Sequence, residues 1–174
     1  MKNTLILFGP QGGSTEYVAK KMQEIIGIDK CDIVAGRNVS AGDLEKYNNL
    51  IFGIATVGTE TWQSKPVASG WMYFTKTLEE SNLDGKTVAL FGLGDQIRYS
   101  NNFVDTMGDL YEILKNRDVR IVGGVDPAGY EFRDSKALVD GKFVGLPIDE
   151  DFESERTHAR IQNWLSGILP EFRT

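Results

Sequence analysis

The chain has 174 residues, 41% hydrophobic and 25% charged, a balance that suits one globular domain with its own core and excludes a disordered chain, a coiled coil or a collagen-like polymer. Nineteen Lys and Arg stand against 25 Asp and Glu, a net charge of −6, so nucleic-acid backbones and anionic membrane surfaces are repelled and are not expected as partners. The single cysteine, Cys31, and single histidine, His158, rule out an internal disulfide and leave too few soft ligands for zinc or iron–sulfur centres.

Met1-Lys2-Asn3 leads directly into a short apolar run, without the apolar core and cleavage pattern of an export signal. No apolar run approaches the roughly 20 residues that span a bilayer. A cytoplasmic monomer is expected.

In chain order, Thr4–Phe8 is a continuous apolar run ending at Gly9 and reads as a first strand. Val18, Met22, Ile25 and Ile26 then recur at helical spacing. Further strands are expected at Cys31–Ala35, Leu50–Ile54, Val88–Phe91 and Val119–Val122. Helical stripes fall between them at Trp71, Phe74 and Leu78, and at Phe103, Met107, Leu110, Tyr111 and Leu114. A last stripe runs through Ile161, Trp164, Leu165, Ile168 and Leu169. Strands apolar on both faces that alternate with amphipathic helices imply an α/β fold, a doubly wound five-stranded parallel sheet with helices on both faces. The stretch from about Gly123 to Lys142 exceeds ordinary loop length and is read as an insertion within the last strand of a single domain spanning residues 1–174, with Phe143–Leu146 returning to the sheet.

In such a sheet, ligands sit beyond the carboxyl ends of the strands where strand order reverses. Three loops there carry unusual residues. Gly9-Pro10-Gln11-Gly12-Gly13-Ser14-Thr15 joins a strand to a helix, and its glycines and hydroxyls make an anion cradle at a helix start. Neither the P-loop spacing nor the dinucleotide G-x-G-x-x-G spacing is present, and a cradle without Lys or Arg suits one phosphate held by neutral donors. A capped tight turn explains the same residues structurally. The second loop runs from Ala55 to Trp62. The third, Gly92-Leu93-Gly94-Asp95-Gln96-Ile97-Arg98-Tyr99, sets an acid and an aromatic beside a flexible turn.

On Gly94–Tyr99, Phe103–Gly108, Gly129–Phe132 and Phe143–Asp151, the chain resembles the long-chain flavodoxins from about Leu5 to Leu169. That resemblance implies the flavodoxin-like fold and a low-potential one-electron carrier, not an enzyme, that binds FMN non-covalently. It implies a phosphate in the loop Gln11, Gly12, Gly13, Ser14 and Thr15, and ribityl contacts at Thr56 and Asp151. Tyr99 would stack on the outer ring face, and Gly92, Leu93, Gly94 and Asp95 would meet the pyrimidine edge with Asn102 nearby. It also implies a peptide at Gly58–Thr59 that flips to favour the flavin semiquinone. The partners it implies are a flavodoxin/ferredoxin–NADP reductase, a pyruvate-oxidising donor or nitrogenase, reached through a ring of acids at Glu60, Asp105, Asp126, Asp149 and Glu150.

Two departures stand out. Pro10 and Gly12 replace hydroxyl residues that the family commonly has in the phosphate loop, removing two side-chain donors. The run Ala55-Thr56-Val57 stands where the family often has Pro-Thr-Trp, so that either Trp62 or Val57 covers the inner ring face. Alternatives from other classes are a flavodoxin-like FMN-dependent quinone or NADPH reductase and an FMN-free binding module. A phosphoryl-accepting receiver is excluded because Phe8-Gly9 stands where its paired acids would be.

Overall fold

The computed structural model describes residues 2–56 and 71–174, the first four of the second stretch by backbone alone. Its strands are β1 (Thr4–Gly9), β2 (Cys31–Ala35), β3 (Asn49–Ala55), β4 (Lys86–Leu93), β5 (Val119–Val122), β6 (Leu138–Val139), β7 (Lys142–Phe143) and β8 (Leu146–Ile148). The helices are α1 (Ser14–Ile26), α2 (Ala41–Glu45), α3 (Trp71–Glu80), α4 (Asp105–Leu114) and α5 (Ser154–Ile168). The main sheet is parallel with order β2-β1-β3-β4-β5, and β8 also pairs with β4.

Because side chains alternate across a strand, each central strand feeds two cores. Leu5, Leu7, Leu50, Phe52, Val88 and Leu90 point to one face, where they pack with Leu78 of α3 and Met107, Leu110 and Leu114 of α4. Ile6, Phe8, Ile51, Ala89 and Phe91 point to the other, against Val18 and Met22 of α1 and Ile161, Trp164 and Leu165 of α5. This is the doubly wound flavodoxin-like architecture, and it explains why the strands show no polar alternation. Among the described residues, no helix is long and apolar enough to cross a membrane.

One edge of β4 is shared by two strand pieces. Lys86–Ala89 pairs with β5, and Phe91–Leu93 pairs with β8. Residues 123–145 leave the sheet between them, form the antiparallel pair β6–β7, and fold onto the α3–α4 face. There Phe103, Tyr130, Phe132 and Phe143 form an aromatic cluster with ring centroids 5.0–5.9 Å apart. The chain rejoins β4 at Gly145, where a Cβ would lie 2.2 Å from the Leu90 carbonyl oxygen.

Two local features depart from the periodicity reading, and Cys31 keeps to it. Helix α2 is only five residues long, too short to show a stripe, and is held by a capping box between Ser40 and Asp43. Phe103 belongs to the loop before α4, and its ring joins the aromatic cluster. Cys31 is fully buried in β2, and burial pushes its thiol up to about 12, the state of an inert strand residue.

Gly108 on α4 packs against the backbone of the 123–145 excursion. A Cβ there would lie 2.5 Å from the Lys136 carbonyl, whereas one on Gly167 of α5 would meet nothing within 4 Å. Gly108→Ala should therefore lose about 1–3 kcal/mol by overpacking, while Gly167→Ala should gain up to about 1 kcal/mol from helix propensity. Urea unfolding of the two variants checks the opposite signs.

Candidate functional site

A cleft of about 260 Å³ opens beyond the carboxyl ends of β1, β3 and β4, where strand order reverses between β1 and β3. Pro10, Gly13, Ser14 and Thr15 line one end, with Ser14 and Thr15 opening α1. Ala55 and Thr56 come from β3 and its end, Leu93, Gly94, Asp95 and Tyr99 from β4 and its loop, and Glu150 and Asp151 from the loop after β8. Among the described residues, no Lys or Arg lines it. A larger cavity of about 770 Å³ lies along α5 beside residues 123–130, away from these loops.

The cleft walls are fastened by buried polar groups. Asp149 is fully buried, and its carboxylate accepts from the backbone N–H groups of Gln96 (3.1 Å), Asp151 (3.0 Å) and Phe152 (3.0 Å). The Gly94 N–H donates to the Ile148 carbonyl at 3.0 Å. Gln96 is buried as well; its Nε2 donates to Glu153 Oε2 at 2.8 Å and its Oε1 accepts from the Glu131 N–H. One side chain thus ties the β4 loop to both the excursion and the start of α5. Thr56 Oγ1 accepts from the Thr106 N–H at 3.0 Å, which fixes the end of β3 to α4.

Asp95 is 5% exposed. Its Oδ1 caps the turn by accepting from the Ile97 and Arg98 N–H groups at 3.0 and 2.7 Å. Its Oδ2 is buried with no hydrogen-bond partner among the described residues. Arg98 Nε stands 3.7 Å away, near enough for attraction and too far for a hydrogen bond. A buried carboxylate oxygen without a donor costs about 1–3 kcal/mol, so an N–H group entering the cleft at this point would be favoured. Tyr99 is 45% exposed at the rim, an aromatic face without a protein partner in the described ring pairs.

These features coincide with a family match. The family described as Flavodoxin matches residues 6–164. The chain belongs to the flavodoxin family. It is 41% identical to the flavodoxin of Buchnera aphidicola subsp. Acyrthosiphon pisum over 175 aligned positions, covering 100% of this chain and 99% of that protein. It is also 41% identical to flavodoxin 1 of Escherichia coli K12, covering 98% and 95%. Among solved structures, Fusobacterium nucleatum flavodoxin bound to flavin mononucleotide superposes with a TM-score of 0.87 at 28% identity, covering 99% of this chain and 100% of that one.

The structure gathers Gly13, Ser14, Thr15, Thr56, Leu93, Gly94, Asp95, Tyr99 and Asp151 at one cleft. Gln11 and Gly12 sit at its outer edge, the Gln11 Oε1 accepting from Arg37 Nε at 2.9 Å and the Gly12 N–H donating to Glu16 Oε2 at 2.7 Å. Gly92 lies behind the lining, where a Cβ would stand 3.0 Å from Met107 Cβ. Asn102 supports the turn through a 3.0 Å bond to Asp105 Oδ2. Val57, Gly58, Thr59, Glu60 and Trp62 lie outside the described residues.

The expected ring of acids needs correcting. Asp149 is interior, and Asp105 is 8% exposed with its Oδ1 accepting from the Lys136 N–H. The Asp149 carboxylate is consumed by backbone amides, and that of Asp105 by one backbone amide and the Asn102 side-chain amide. Asp126 is exposed but lines the larger cavity. Of the four that are described, Glu150 stays at the rim, where Asp151 joins it. Sequence reading missed Arg37, Gln96 and Glu153, whose roles come from contacts 26 to 57 positions apart.

Burial pushes the Glu153 carboxyl up, but bonds from Gln96 and Arg160, with the charges of Arg160 and Arg156, outweigh it and hold the group below its usual value of 4.5. A depressed folded-state value means stability present above about 4.5 and lost as pH falls through the lower value. Glu153→Gln should accordingly be less stable than the parent at pH 7 and show a flatter loss of stability below about pH 4.5, read by thermal unfolding across pH 3–7.

Proposed function

We infer that the protein is an electron carrier, not an enzyme, that binds FMN non-covalently in this cleft. The observation that carries the reading is the buried Asp95 Oδ2, without a donor among the described residues, at one end of a cleft whose other end is a glycine- and hydroxyl-rich helix start. The imide edge of a flavin supplies the missing N–H, and its phosphate suits the amides and hydroxyls of Gly13, Ser14 and Thr15. Thr56 and Asp151 take the ribityl hydroxyls, and Leu93 and Gly94 approach the ring with Tyr99 over its outer face. Val57 or Trp62, which the resemblance offers as alternatives for the inner ring face, and the Gly58–Thr59 peptide lie outside the described residues. Gly92 leaves room behind the ring loop, and Gln11, Gly12 and Asn102 support the cradle.

Bound FMN supplies one-electron exchange that the side chains themselves lack. The chain sets how hard reduction is. Asp95, Glu150 and Asp151 line the cleft with no cation among the described lining residues, so added negative charge is disfavoured and the most reduced state is reached only at low potential. The exposed acids and Tyr99 form the face offered to partners. A basic docking patch, as on a flavodoxin/ferredoxin–NADP reductase or another redox enzyme, meets this face transiently. The protein acts as a cytoplasmic monomer of the long-chain type, with the excursion of residues 123–145 as the long-chain insertion in a single domain.

Titration of FMN into the flavin-free protein, followed by flavin fluorescence, tests the reading. Saturable one-to-one quenching is expected, and Tyr99→Ala should weaken binding by about 0.5–1.5 kcal/mol through lost stacking. Fluorescence that stays unquenched at saturating protein would contradict it, and NADPH oxidation with quinone and no added reductase would favour a reductase instead.

A further inference from the structure

The first loop lacks two hydroxyl donors, and Gly12 spends its N–H on Glu16. A dianion bound there therefore has fewer donors than the loop length suggests. The β1–β2 register brings in a substitute. Phe8 pairs with Ala35, so the turn Gly36–Asn38 after β2 runs beside the loop after β1. Arg37 on that turn donates from Nε to Gln11 Oε1 at 2.9 Å. A guanidinium carries five N–H donors, and among the described residues Nη1 and Nη2 of Arg37 have no hydrogen-bond or ion-pair partner. Charge at the loop is also resolved in its favour. Glu16 is paired with Lys20 at 2.7 Å, and among the described residues no carboxylate is paired with Arg37.

We propose that Arg37, held at the cradle by Gln11, is a phosphate-binding residue that gives this protein its preference for FMN over the unphosphorylated flavin. The proposal rests on the FMN reading above and adds a cation from the neighbouring strand to a loop that holds none itself. Guanidinium–phosphate contact is charge-assisted and weakened by salt, whereas contacts to the ring and ribityl chain are not.

Calorimetric titrations of FMN, riboflavin and inorganic phosphate into the flavin-free protein test it. Arg37→Gln should weaken FMN by about tenfold, leave riboflavin within about twofold, abolish the phosphate heat, and flatten the fall of FMN affinity between low and high salt. Gln11→Ala, which removes the anchor but keeps the guanidinium, should lower the FMN-over-riboflavin preference by less than Arg37→Gln does, and a loss larger than that of Arg37→Gln would overturn the assignment to Arg37. Equal FMN affinity in parent and Arg37→Gln, or an equal drop for both flavins, would overturn the proposal while leaving FMN binding intact. A parent that takes up neither flavin would overturn the FMN reading and this proposal with it.

Discussion

The geometry of the site depends on one buried carboxylate. Asp149 sits at the end of β8 and accepts from three backbone N–H groups, one on the β4 loop and two on its own loop. Main-chain amides in a dry interior must be paired, and here a fixed anion pairs three of them at once. The two loops that carry Asp95, Tyr99, Glu150 and Asp151 are thereby locked in mutual register. Gln96 extends the lock to the excursion and to α5.

The lock is possible because the strand beside β4 is broken. If β5 continued along the whole of β4, the loop after it would leave the sheet elsewhere. Instead β5 covers the first half, the chain detours through an aromatic cluster, and β8 covers the second half at Phe91–Leu93. Asp149 follows immediately and is delivered to the mouth of the cleft. The excursion thus acts structurally on the site from behind: Tyr130 Oη donates to the Pro147 carbonyl at 2.8 Å, and Glu131 N–H reaches Gln96. Function follows from the same economy. The carboxylates that pair with amides are spent on structure, and those left on the lining, with a half-exposed tyrosine, set the electrostatics that a bound redox group would experience.

The sheet, its helices and the three loops at its rim were legible because they follow from period and composition. Continuous apolar runs such as Thr4–Phe8 and Val88–Phe91 can only be strands covered on both faces, and the glycine-rich turns after them mark the ends where backbone must come close to something. Charge roles were not legible. Asp149 looks like a surface acid in the run Asp149-Glu150-Asp151 and Asp105 like a solvated acid at a helix start, and only the fold shows the amides that take up their carboxylates. Arg37 and Glu153 share this limit, since their partners lie far away in sequence and are brought near by strand register and by the split of the last strand. Short elements were hidden too: the α2 helix rests on the Ser40–Asp43 box, which needs no apolar stripe.

The most direct test of this account is the FMN affinity of Asp149→Asn, with circular dichroism as a check on the fold. An amide keeps the volume but offers one acceptor oxygen in place of two, leaving a loop N–H without a partner. Asp149→Asn should give a native-like spectrum with affinity reduced about tenfold or more. An affinity equal to that of the parent, in a variant that folds normally, would contradict it.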